Sequence, residues 1–171
     1  MPKPSFAVRA MILGAGVSVG ACSNPTFPTH AVELELQTDT VWINRSPNEV
    51  RIAVPIVVRN RDSRPLYVTP CGHVLQRAID DQWEGVWSDG CPFGRLFSLE
   101  LSPGESTLLT LGTRLSVTSE AWPATATPGM YRAILALTAV PLNIGGVTPT
   151  PVATAARITA PFPVRVRTIV F

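Results

Sequence analysis

The chain has 171 residues, 46% hydrophobic and 15% charged, a balance that fits one compact domain and excludes a disordered polyelectrolyte. Its 14 basic and 12 acidic residues give a net charge of only +2, which leaves no electrostatic footprint for nucleic acid. Seventeen prolines, roughly twice the usual share of about 5%, argue against long helices and belong in loops or at strand edges.

In chain order, Lys3 and Arg9 precede an apolar or small stretch from Ala10 to Gly20, the charged and hydrophobic parts of a secretory signal. The following Val19-Gly20-Ala21-Cys22 resembles the lipobox of bacterial lipoproteins. That resemblance implies cleavage before Cys22, diacylation of its sulfur and anchoring in a bacterial cell envelope. Ser23 at the second mature position is similar to lipoproteins held on the periplasmic face of the outer membrane. An ordinary signal peptide with Cys22 left as a thiol is the alternative. Cleavage removes Lys3 and Arg9 from the 14 basic residues, so 12 arginines face 12 acids and no lysine remains. Lysine-based Schiff-base or general-base chemistry is thereby excluded.

The organisation expected is a signal peptide over 1–21, a lipidated tether over 22–31 rich in turn formers, and a domain over 32–171. Val32, Leu34 and Leu36 alternate with Glu33, Glu35 and Gln37, the period of a half-buried strand. The clearest strand runs from Val50 to Arg59, with Pro55 pointing to an edge or a bulge. Short strands follow at 66–69, 74–79 and 83–87, with Asp80-Asp81-Gln82 as a turn. Ser102-Pro-Gly-Glu105 opens a strand at 106–111, Pro128-Gly129 opens another from Met130 to Ala139, and an irregular loop over 140–156 leads to a closing strand at 158–167. Recurrent turns between short strands predict an all-β, antiparallel sandwich of seven to nine strands.

Gly129-Met130-Tyr131 resembles the tyrosine corner of immunoglobulin-like and fibronectin-like sandwiches, in which the Tyr131 hydroxyl would bond upstream backbone. The immunoglobulin cysteine is missing, since Ala133 stands at its place. Together, Ser102–Glu105 and Pro128–Tyr131 also resemble the later part of the immunoglobulin-like proteinase inhibitors first known inside bacteria. That likeness implies inhibition of an envelope peptidase.

With Cys22 given to lipid, Cys71 and Cys91 in an exported chain suggest a disulfide. A metal site from Cys71, His73 and Cys91, or two free thiols, are the alternatives. Catalytic signals are thin: His30 and His73 are the two histidines, and neither a nucleophile elbow nor a zinc-protease motif occurs. Asp80, Asp81, Glu84 and Asp89 sit among turn residues and read as solvated. Trp83, Trp87 and Phe93 form an aromatic cluster, either anchors for a partner or filling for the core. Being four apart on an extended strand, Trp83 and Trp87 should face the same way. The terminal Phe171 is typical of outer-membrane barrels, but Arg165 and Arg167 on its face oppose that reading.

The function expected is a noncatalytic protein-binding or accessory domain on a lipid anchor at Cys22, without cofactor or metal, with His73, Trp87 and Phe93 as candidate binding residues. An enzyme with a loop-built site is the remaining class. Immunoglobulin-like topology places Arg61–Pro65 and the 140–156 loop near the tether, and the Cys71–His73 and Gly129–Tyr131 corners at the far end.

Overall fold

The computed structural model describes residues 31–90, 97–116, 127–142, 149 and 151–169. They form β1 (Val32–Leu36), β2 (Val41–Arg45), β3 (Glu49–Asn60), β4 (Leu66–Val68), β5 (Val74–Ile79) and β6 (Gln82–Ser88), followed by β7 (Leu99–Leu101), β8 (Ser106–Ser116), β9 (Gly129–Ile134), β10 (Leu137–Thr138) and β11 (Phe162–Thr168). A single 3-10 turn, Thr154–Arg157, precedes β11.

The longest alternation in the sequence makes the spine. Val50, Ile52, Val54, Ile56 and Val58 of β3 are all buried, and β8 pairs antiparallel along one edge from Glu49 to Arg59. Two strands share the other edge: β1 takes Ile56 to Asn60 and β2 takes Val50 to Ile52. Between them the chain bends, and the Gln37 N–H donates to the Pro55 carbonyl at 3.1 Å. In a strand, a residue's nitrogen and carbonyl point to the same edge. The missing Pro55 donor therefore falls where β1 has ended and β2 has not begun. The edge or bulge expected from Pro55 is corrected: β3 is a central strand, and its proline sits at a break in the neighbouring pairing.

Beyond that break β2 pairs parallel with β11, from Val41↔Val164 to Arg45↔Thr168. From β11 the layer continues antiparallel through β9, β5 and β6. A first strand divided between two layers, with β3 against β8 in one and β5 against β9 in the other, is the immunoglobulin-like arrangement. The domain is an immunoglobulin-like β-sandwich. It differs from expectation in strand number, because β4, β7 and β10 add a small three-stranded sheet, and in being mixed rather than wholly antiparallel, because of β2 and β11. Tyr131, Ile43, Leu75, Leu111, Leu135 and Phe162 fill the space between the layers, where burying an aliphatic or aromatic side chain contributes about 1.5–3 kcal/mol. Ala133, at the immunoglobulin cysteine position, is fully buried among them.

One end of the sandwich is pinned by the buried Asn60, the other is closed by a tight turn. Val32 faces Asn60, whose amide donates to the carbonyls of Arg64 and Leu101 at 2.8 and 2.9 Å and accepts the Asp62 N–H at 2.9 Å. These bonds fold the 61–65 loop back at the end where the tether would arrive. At the opposite end Asp80 and Asp81 both adopt positive φ, 47° and 63°, the pattern of the tight turn favoured between β5 and β6.

Candidate functional site

The Cys71-Gly72-His73 corner joins the small sheet to β5. His73 is 1% exposed. Its Nδ1 accepts the Ala136 N–H at 3.0 Å, and its Nε2 lies 3.0 Å from the Thr69 carbonyl. An acceptor at Nδ1 fixes the proton on Nε2, which then donates to Thr69, so the ring is neutral with both nitrogens satisfied. Burial holds its pKa below the ordinary histidine value, against the opposing pull of the Asp89 charge and the Thr69 carbonyl. The Asp89 carboxylate accepts the His73 backbone N–H, and Gly72 and His73 exchange backbone bonds with Asp89 at 3.2 Å. Thr69 adds its hydroxyl, within 2.6 Å of the Cys71 carbonyl and 2.9 Å of that of Ala136.

His73 is thus a core histidine that ties the β4–β5 connection to the end of β9. Its candidacy as a surface binding residue is corrected, and its ring nitrogens are committed to backbone rather than open to a metal. The corner's position is corrected as well. Contact with Ala136, just past β9, places it at the end of the sandwich where β1 starts, not at the far end. The Gly129–Tyr131 corner does lie at the far end, beside the Asp80–Asp81 turn, since Arg77 faces Tyr131.

Trp83 and Trp87 part company. Leu75 pairs with Trp87 but Gln76 pairs with Gly85, so Val86 is an extra residue in a β-bulge. Alternation shifts by one across it. Trp87, opposite the buried Leu75, packs half-buried on the core. Trp83, opposite Ala78, turns outward and stacks under the Arg132 guanidinium, 4.4 Å from its centroid. Arg132 also donates from Nε to Gln76 Oε1 at 2.8 Å. The shared facing read from the four-residue spacing is overturned by the bulge, and Trp87 as a binding residue is demoted by its packing.

The outward face of β6, β5, β9 and β11 that begins at Trp83 continues through Met130, exposed at 43%, and Pro163, its register partner, to the exposed Arg165. At its outward strand positions among the described residues stands no Asp or Glu. Glu84 takes the other side of β6 opposite Arg77, and Asp80 and Asp81 form the β5–β6 turn; elsewhere Glu33 pairs with Arg59 and Arg61, and Asp62 is held ionised by the Arg64 side chain, which lowers its pKa.

The Tyr131 hydroxyl donates to the Thr127 carbonyl at 2.6 Å, the contact with upstream backbone that defines a tyrosine corner. Burial raises its pKa. Cys71 is buried. Cys22, Cys91 and Phe93 lie outside the described residues, as do 143–148 of the predicted loop. Its flanks are ordered by the Val152 N–H on the Leu137 carbonyl at 2.9 Å and by the 3-10 turn. Among the described residues no helix is long and apolar enough to cross a membrane.

No family model matches the chain, and no curated protein matches it. Solved structures similar to it include a structural-genomics target at 14% identity and a TM-score of 0.44, covering 80% of this chain and 87% of that one. A CARDB domain from Pyrococcus furiosus, solved with two metal ions, shows 18% identity and a TM-score of 0.35 over 85% of this chain and 95% of that one. A protein from Archaeoglobus fulgidus shows 17% identity and a TM-score of 0.31, over 78% and 95%. At such values the fold assignment rests on strand order, and function rests on this chain's own residues.

Proposed function

We propose that this is a lipid-anchored protein of the bacterial envelope, held through Cys22 to the periplasmic face of the outer membrane, whose immunoglobulin-like domain is a noncatalytic module binding an envelope protein. The observation that carries the binding role is the acid-free outward face with Trp83, Arg132, Met130 and Arg165. Aromatic and arginine anchors supply most of the energy at protein interfaces, and a face of one sign selects a partner bearing the other. The anchor is supported by the lipobox-like Val19–Cys22 alone.

The Cys71–Cys91 disulfide belongs to the same reading. What supports it is that Gly72 and His73, next to Cys71, exchange backbone bonds with Asp89, two residues before Cys91 in the sequence. Nonreducing mass spectrometry of the exported protein should find those two peptides joined. Alkylation of Cys91 without prior reduction would remove that bond.

The function is tested in two arms. Cys22→Ala should shift the protein from the membrane to the soluble fraction and abolish palmitate labelling, and labelling that persists refutes the anchor. Chemical cross-linking in intact envelopes should trap a partner that the double variant Arg132→Glu/Arg165→Glu loses while keeping its circular dichroism. Undiminished trapping by that variant refutes the face.

A further inference from the structure

A second stretch of outward surface adjoins that face at β11, where Arg165 pairs with Trp42, and runs over β2, β3 and β8. Arg167 on β11 faces Asn44 on β2, Asn44 faces Arg51 on β3, and Arg51 faces Arg114 on β8. Like charges side by side across strands repel, so this row costs the fold something unless an anion relieves it. Glu49 relieves Arg114 at 3.0 Å. Arg167 donates to the Asn44 side chain and lies 5.5 Å from the Trp42 ring centroid. Arg51 is exposed, and among the described residues no carboxylate pairs with it.

Next to the arginines the face is scooped out. Ala53 pairs with Gly112, and a Cβ added at Gly112 would sit 2.7 Å from the Ile52 carbonyl oxygen, so β8 presses close and offers no side chain there. Two adjoining grooves of ≈ 270 and ≈ 510 Å³ share Asn44, Ala53 and Thr110. Trp42, 37% exposed, lines the first and Arg51 the second.

The lining defines a ligand chemistry. The exposed Trp42 indole beside a shallow trough offers a flat apolar surface on which the apolar face of a sugar ring can lie. Thr38, Thr40, Thr110 and Asn44 offer hydrogen-bonding groups for hydroxyls, and guanidinium groups grip carboxylates bidentately. Four strands span three spacings, about 14 Å, which is more than one carboxylate can engage. We propose that this groove binds an acidic oligosaccharide, with a pyranose ring on Trp42 and successive carboxylates along Arg51, Arg114 and Arg167. The row also lies nine residues along β3 from Asn60, about 30 Å from the end where β1 starts, so a tether there would leave the groove open.

Calorimetric titration of the full chain with three probes tests this: trigalacturonate, its fully methyl-esterified form with the rings but not the charges, and pentaglutamate with charges but no rings. Trigalacturonate should bind saturably, the other two at least about tenfold more weakly, a difference of about 1.4 kcal/mol. Trp42→Ala and Arg51→Gln should each weaken trigalacturonate by a similar factor, with Trp83→Ala unchanged. Arg51 points to solvent, so its variant decides the matter if Trp42→Ala fails to fold. Equal binding of pentaglutamate, equal binding of the ester, no saturation in the millimolar range, or full binding by Arg51→Gln would each overturn the site. None of these outcomes depends on the lipid anchor, and since Arg165 neighbours Trp42, the test is read on Trp42 and Arg51 variants that leave Arg132 and Arg165 in place.

Discussion

His73→Phe isolates a hydrogen-bonded core histidine from its volume. Phenylalanine fills the space with carbon but leaves the Ala136 N–H and the Thr69 carbonyl without the ring partners they meet at 3.0 Å. Each orphaned buried group costs about 1–3 kcal/mol, so the variant should lose roughly 2–6 kcal/mol, a large share of the 5–15 kcal/mol that holds a typical domain. The wild type should also be acid-sensitive through the same ring. Burial lowers the folded-state pKa, so the unfolded chain binds this proton more readily. The ring's contribution is complete above the unfolded value of about 6.5 and is lost as pH falls below it toward the folded value. Protonation would place a second N–H on Nδ1, facing the Ala136 donor. Urea unfolding of both proteins between pH 8 and 4.5 measures the effect, and the stability gap should narrow on the acid side. A gap that is constant with pH, or a variant within 0.5 kcal/mol of wild type, refutes the assignment of a neutral, doubly bonded imidazole.

Tyr131→Phe removes the hydroxyl's bond to Thr127 and its interaction with the Arg77 side chain and should cost about 1–2 kcal/mol, read as a lower urea midpoint with an unchanged slope. Gly112→Ala drives a methyl against the Ile52 carbonyl and should cost about 1–3 kcal/mol, with hydrogen exchange faster in β3 and β8 than in β5 and β6.

How much of this was legible in the sequence depends on how local its cause is. Alternation alone revealed β1 and β3, because one buried face imposes a period of two. β2 carried the same signal over five residues, with Val41 and Ile43 inward, and could have been read from it. The tyrosine corner was legible because its donor and acceptor are four residues apart. His73 was not, since Cys-Gly-His reads as a turn and its burial is decided by Ala136, 63 residues away. Nor was the arginine row, whose members lie on β11, β3 and β8 and meet only through register. Pro55 marked an irregularity correctly but could not say that the neighbouring strands, rather than its own, were interrupted.

The bulge at Val86 makes a final, decisive contrast. On an unbulged strand Trp83 and Trp87 would share one environment, and truncating either would have a similar effect. Here Trp87 packs on the core, so Trp87→Ala should cost about 2 kcal/mol or more. Trp83 contributes a surface stack on Arg132, and Trp83→Ala should cost only about 0.5–1 kcal/mol. Iodide quenching separates them further: the anion reaches an outward indole beside an arginine and is kept from one packed against Leu75. Removing Trp83 should therefore abolish more of the quenchable fluorescence than removing Trp87. Equal costs with equal quenching would place both rings on one face and take the bulge, and with it the aromatic end of the binding face, out of the structure.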